Sequence, residues 1–186
     1  MFVEMEDYVV AIGGAAGIPD RIKLLKEVVP NKPIQFGVMT HHHGDHILGA
    51  QAYADQDITV ITSKAHEETV RNSTNKPKMK IKTIKNEHTF KDKERTLKLI
   101  DIGPTPHSKN ILAAYLPNEG IMFTADHFGL QSPGNITAAG ENTQAFAKSL
   151  KKNKIKATKI LSAHSSIIAT DKDLAKSLEL AQNNRD

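Results

Sequence analysis

Four imidazoles and one carboxylate fall within seven consecutive residues, Thr40-His41-His42-His43-Gly44-Asp45-His46. The run lies between an apolar stretch that reads as a strand, residues 34–40, and one that reads as a helix, residues 45–55. A purification-tag remnant would be terminal, not wedged between a strand and a helix. His41 and His43, two apart on a turn, can point one way, whereas Asp45 and His46 open the helix and can point another. Neutral imidazole is a good zinc ligand, and a carboxylate compensates the charge of a second ion. Gly44 is expected to let the backbone turn sharply between the two pairs.

Three further candidates occupy equivalent places. His107 follows a strand over 96–102 through Gly103-Pro104-Thr105-Pro106, Asp126 follows one over 121–124, and His164 follows one over 158–162. Each lies just beyond the carboxyl end of an apolar strand, where α/β folds gather their ligand sites. Taken alone, each is more often a turn residue or a satisfied buried histidine; agreement among four strand ends is much less often accidental. The chain has no cysteine, so any metal must be held by His, Asp or Glu, and thiolate chemistry is excluded.

The remaining pattern alternates strand-like and helix-like segments. A strand over 8–12 stops at Gly13-Gly14. A helix carries Pro19 in its first turn, with Ile22, Leu24, Leu25, Val28 and Val29 at helical spacing. In the helix over 45–55, Ile47, Leu48 and Ala52 are expected to face inward. Strands follow over 58–62 (Ser63 capping the next helix), 79–84 and 96–102. A pair over 111–116 and 121–124 is joined by Pro117-Asn118-Glu119-Gly120, a hairpin turn. Residues 127–140, rich in Gly, Ser, Pro and Asn, read as a loop. A helix over 143–152, a strand over 158–162 and a helix over 171–182 finish the chain, the last opened by a capping box of Thr170 and Asp173. This mixture implies a layered α/β protein. At 186 residues, without repeat or linker, it is expected to form one domain over 1–186.

With 39% hydrophobic and 25% charged residues the composition is that of a soluble globular protein, and no apolar run approaches bilayer length. The N-terminus is acidic where an export signal would be basic, so the chain reads as cytoplasmic, with a periplasmic or secreted location the alternative if the N-terminus is processed or truncated. Lysines cluster between Lys76 and Lys98 and again between Lys148 and Lys159. No aromatic platform lies among them, so a solvated strand edge and helix face is expected in preference to nucleic-acid binding.

The motif His41-x-His43-x-Asp45-His46, followed by single His, Asp and His residues at strand ends, resembles the metallo-β-lactamase superfamily over nearly the whole chain. The segments Pro106-His107-Ser108, Ala114-Tyr115-Leu116-Pro117 and Thr124-Ala125-Asp126 are similar to a broad bacterial branch of it. The resemblance implies a four-layer αβ/βα sandwich, with His41, His43 and His107 on a first metal. Asp45, His46 and His164 would hold a second, with Asp126 bridging both. The best-known zinc β-lactamases carry Cys where this chain has Asp126, so it resembles the glyoxalase II and lactonase side more closely. Two departures stand out. Members usually have an Asp where a strand here ends in Gly13-Gly14, and they begin with another pair of strands before the segment matching residues 2–12. That segment is therefore expected to be an inner strand with an open apolar edge, inviting a homodimer.

The activity so implied is metal-dependent hydrolysis. Two zinc ions about 3.5–4 Å apart would acidify a shared water, and the bridging hydroxide would attack a carbonyl (β-lactam, lactone, thioester) or phosphoryl group. Asp45 would orient that hydroxide and deliver a proton. Iron or manganese is the alternative metal. His127 and Asn135, in the loop over 127–140, are candidate substrate contacts for a small molecule. His42 is expected to face away from the metal, and His66 and His88 to be surface groups. Two other readings stay open: an iron persulfide dioxygenase of the same fold using His41, His107 and Asp126, and a metal-binding domain with weak or no catalysis.

Overall fold

A computed structural model describes residues 1–184. The chain forms two compact units, Met1–Arg95 and Thr96–Asp186.

In the first unit, strands β1 (Phe2–Glu4), β2 (Val9–Ile12), β3 (Ile34–Val38), β4 (Thr59–Ser63) and β5 (Ile81–Ile84) form one sheet in the order β1-β2-β3-β4-β5. Strands β2 to β5 run parallel, and β1 is antiparallel to β2. Every residue of β2 is buried, as befits a parallel strand covered on both faces. Helices α1 (Ile18–Val28), α2 (Gly44–Ile47), α3 (Ala50–Asp55) and α4 (Glu67–Asn72) make the crossovers, and β6 (Glu87–Lys91) follows β5. Ile18 and Ile22 of α1, with Met39, Ile47, Tyr53, Val60 and Val70, form the apolar core of this unit.

Several expectations are corrected here. Residues 2–12 are not one inner strand but a hairpin: β1 pairs with β2 in the register Phe2↔Ala11, Val3↔Val10, Glu4↔Val9. The backbone groups of Val9–Ile12 are therefore covered on the side expected to be open, and β1 becomes the edge strand of the sheet. In α1 only Ile18 and Ile22 are buried, while Leu24 and Val28 stay exposed; their spacing put them on the wrong side of a helix whose inward stripe is narrow. The helix expected over 45–55 is two short ones separated by Leu48-Gly49, because Gly49 N–H donates to Gly14 O at 2.6 Å. Leu48 faces solvent, and Tyr53 takes the inward place. Strand β6 was not foreseen, since only His88 and Phe90 face inward among charged neighbours; Phe90 packs on Tyr8 and Phe36. Lys80, Lys82, Lys85 and Lys91 are exposed.

In the second unit, β7 (Thr96–Asp101), β8 (Leu112–Leu116), β9 (Ile121–Phe123), β10 (Lys159–Leu161) and β11 (Ala169–Thr170) run in the order β11-β10-β9-β8-β7. Strands β9 and β10 are parallel; the other pairs are antiparallel. The expected turn joins β8 to β9, with Gly120 at φ +64. Helices α5 (Glu141–Lys152) and α6 (Asp171–Asn183) complete the unit, and α6 opens with the expected capping box of Thr170 and Asp173. Phe146 of α5 is fully buried. The loop expected over 127–140 is irregular, apart from a bridge between Leu130 and Ile167. Among the described residues no helix is long and apolar enough to cross a membrane.

Candidate metal centre

The first unit gathers its candidate ligands where β3 ends. Beyond Val38 the chain continues, fully buried, through Met39, Thr40 and His41. It then leaves the sheet at His42 and His43 and enters α2, with His46 N–H donating to His43 O at 2.9 Å. His41 and His46 are buried, His43 is half-buried, and His42 and Asp45 are exposed. His41 Nε2 lies 3.0 Å from His43 Nδ1, and His46 Nε2 lies 3.3 Å from an Asp45 oxygen. The His41 ring also lies against the His46 ring, with centroids 4.3 Å apart. Gly44, however, has no positive φ and open space where a Cβ would stand; the turn does not need it.

The glycines that matter lie elsewhere. Gly13 adopts φ +95, and a Cβ on Gly14 would stand 2.1 Å from Met39 Sδ and 2.4 Å from the His46 carbonyl oxygen. The strand end that carries Gly13-Gly14 therefore has no room at Gly14 for a side chain. His66 is also not a surface group: it is buried and stacks on His42, ring centroids 5.0 Å apart. His88 is half-buried, with its ring edge-on to Phe90 and Nε2 3.1 Å from Lys82 Nζ. Burial, with the Lys82 charge in second place, lowers its pKa.

In the second unit three strand ends converge. The loop after β7 carries His107 and is held by Asp101, whose carboxylate accepts from Gly103 N, Ile111 N and Asn110 Nδ2 at 3.0, 3.0 and 2.6 Å. After β9, Ala125 adopts φ +54, a left-handed conformation that costs a non-glycine residue about 1–2 kcal/mol. That turn is fixed from both sides, since Ala125 O accepts from Ala163 N at 2.9 Å and from Ser162 Oγ at 2.7 Å. The consequence is the placing of Asp126: Oδ2 lies 2.7 Å from His107 Nε2, and Oδ1 lies 3.3 Å from His164 Nε2. Ser162 also accepts from His164 N–H at 3.3 Å, so one hydroxyl ties the Asp126 turn to the His164 turn. Sequence reasoning missed Asp101 and Ser162; the only signal was a polar residue at the strand end before each site loop.

His127 is buried, with Nδ1 3.1 Å from Thr124 O and Nε2 3.3 Å from Thr105 Oγ1. Its desolvation, only partly offset by the Thr124 carbonyl, lowers its pKa. Asn135 is exposed and, with Asp126, Thr143, Ser162, His164 and Ser177, lines a cavity of about 240 Å³ that His127 also borders. Thr143, Ser162 and Ser177 each donate their hydroxyl proton to a backbone carbonyl, of His127, Ala125 and Thr137, at 2.7 Å. They therefore offer this cavity lone pairs, and no lysine or arginine lines it.

The donor chemistry in each unit fits a cation. Imidazole nitrogens face each other at 3.0 Å in the first, and in the second the two oxygens of one carboxylate face two different imidazoles. Nitrogen and carboxylate donors without sulfur suit zinc, iron or manganese.

The comparisons define the class. The sequence model of the metallo-β-lactamase superfamily matches residues 13–164, a span that holds all seven candidate ligands. The chain belongs to that superfamily. Solved structures with the same fold include the metallo-β-lactamase FIM-1 from Pseudomonas aeruginosa in a mono-zinc form. It is 22% identical, with TM-score 0.72 over 98% of this chain and 82% of that one. A metallo-β-lactamase from Pontibacter korlensis is 20% identical, with TM-score 0.71 over 98% and 86%. One from Hirschia baltica is 17% identical, with TM-score 0.71 over 97% and 84%. No curated protein matches at the sequence level. The expected mixed α/β fold of metallo-β-lactamase type is thereby shown, and membership supports a metal-dependent hydrolase in general. The comparisons do not single out the glyoxalase II and lactonase side.

Proposed function

We propose that the chain is a two-zinc hydrolase in which both units act as one functional domain. His41, His43 and His107 would hold one ion, and Asp45, His46 and His164 the other, with Asp126 shared between them. The observation that carries this reading is the Asp126 carboxylate, with one oxygen toward His107 and the other toward His164, which would let it serve as a ligand of each ion. When bound, the metal pair would supply an acidified water and polarise the scissile group. The protein's own side chains do the rest. Asp45, whose carboxylate is half exposed, would accept a proton and pass it to the leaving group. Asp101 and Ser162 hold the His107 and Asp126 turns, and His127, with both nitrogens engaged, braces the loop.

Asn135 is the proposed substrate contact. The wall it belongs to carries the Asn135 and Gln131 amides and no lysine or arginine, which favours an uncharged substrate portion over an anionic one on that side. A hydrolysis screen of matched neutral and anionic β-lactam, lactone, thioester and phosphodiester substrates, with metal content measured on the same sample, tests the reading. Up to two zinc ions per chain and turnover of at least one class are expected. One iron and no zinc, with consumption of oxygen, would replace hydrolysis with the dioxygenase chemistry; metal without any turnover would leave a binding domain.

A further inference from the structure

The hydroxyl of Thr40 is fully buried and meets two imidazoles at once, His41 Nδ1 at 3.1 Å and His46 Nδ1 at 3.4 Å. In each ring the other nitrogen faces a candidate ligand: His41 Nε2 faces His43 Nδ1 at 3.0 Å, and His46 Nε2 faces Asp45 at 3.3 Å. A neutral imidazole has one N–H, and the hydrogen bond made by one nitrogen decides which nitrogen is left to bind metal. A threonine oxygen has two lone pairs, enough to accept an N–H from both rings. That arrangement leaves its own buried O–H without an acceptor, because these two ring nitrogens are its partners among the described residues.

We infer that Thr40 is a positioning residue whose single oxygen accepts Nδ1–H from both His41 and His46, fixing both as the tautomer that presents Nε2 to metal. It thereby sets one ligand in each of the two metal positions. The inference rests on the ligand assignment proposed above, since the two rings belong to different positions there. Its chemical basis is specific to this oxygen. Histidine in water favours the Nε2–H form, which would block the nitrogen that must donate, and a group that only donates could not hold both rings in the other form. Position 40 therefore needs an acceptor of two hydrogen bonds in a space closed to water.

The test reads the tautomers directly. Long-range proton–nitrogen correlation spectra of the full chain, chelator-treated and zinc-loaded, are recorded above the imidazole titration range. Wild type is expected to show both rings as Nδ1–H; either ring as Nε2–H in the chelator-treated chain overturns the inference. In parallel, zinc affinities are measured by chelator competition. Thr40→Val, which keeps the shape and removes the oxygen, is expected to weaken both ions by about 10–100-fold, and Thr40→Ser to retain most of the affinity. Unchanged affinities in Thr40→Val, or a loss confined to one ion, overturn the shared role. Should Thr40→Val fail to fold, the wild-type and Thr40→Ser spectra still decide. Should the chain hydrolyse nothing, the hydrolase reading fails while the tautomers still report on Thr40.

Discussion

Gly14→Ala is the substitution whose consequence follows most directly from the packing. The added methyl would stand 2.1 Å from Met39 Sδ, 2.4 Å from the His46 carbonyl oxygen and 2.8 Å from Met39 Cε. Met39 is fully buried among core residues, so its sulfur has little space to retreat into. The His46 oxygen is backbone and moves only if α2 moves. Reaching an ordinary contact of about 3.4 Å requires a displacement of about 1 Å, which carries the His46 main chain and its ring with it. Overpacking of this kind costs about 1–3 kcal/mol, and a 1 Å misplacement of a reacting group costs on the order of 100-fold in rate. The control is Gly44→Ala, between the same ligands but with open space around it; a change there should stay within about 0.5 kcal/mol. Urea unfolding midpoints and retained zinc after gel filtration measure both. If Gly14→Ala unfolds at the wild-type midpoint with full zinc, or if Gly44→Ala is equally damaging, the packing argument is wrong.

Four further outcomes are expected. Asp45→Ala and Asp126→Ala should abolish hydrolysis while leaving the circular dichroism spectrum unchanged, with zinc per chain falling most for Asp126→Ala. His42→Ala should keep most of the activity that His43→Ala loses; equal losses in initial-rate assays would mean that the converging histidines are misassigned. Tyr53→Phe removes the hydrogen bond from a buried phenol to Gly13 O at 3.0 Å and should lower stability by about 0.5–1.5 kcal/mol, read from denaturant midpoints. Phe146→Ala empties a fully buried site in the second unit and should cost about 3–5 kcal/mol, seen as a large drop in melting temperature.

The sequence by itself determined the ligand candidates and the class of fold. An internal run of alternating imidazoles at a strand–helix junction, with His107, Asp126 and His164 past three other apolar strands, is a local pattern. Strand ends and helix starts are set by residues close in sequence. What only the tertiary structure decided is whatever depends on partners distant along the chain. β1 pairs with β2, and the Gly49-to-Gly14 hydrogen bond divides the helix after His46 in two. Leu24, Val28 and Leu48 stay exposed because burial depends on which face meets a neighbour, not on spacing alone. Gly14 is constrained where Gly44 is not, because the atoms that fill its missing side chain belong to Met39 and His46. The same holds for the supports of the site. Asp101, Ser162 and Thr40 are ordinary polar residues in the sequence. They acquire their roles only when folding brings a loop amide, the Ala125 carbonyl or a second imidazole within hydrogen-bond reach.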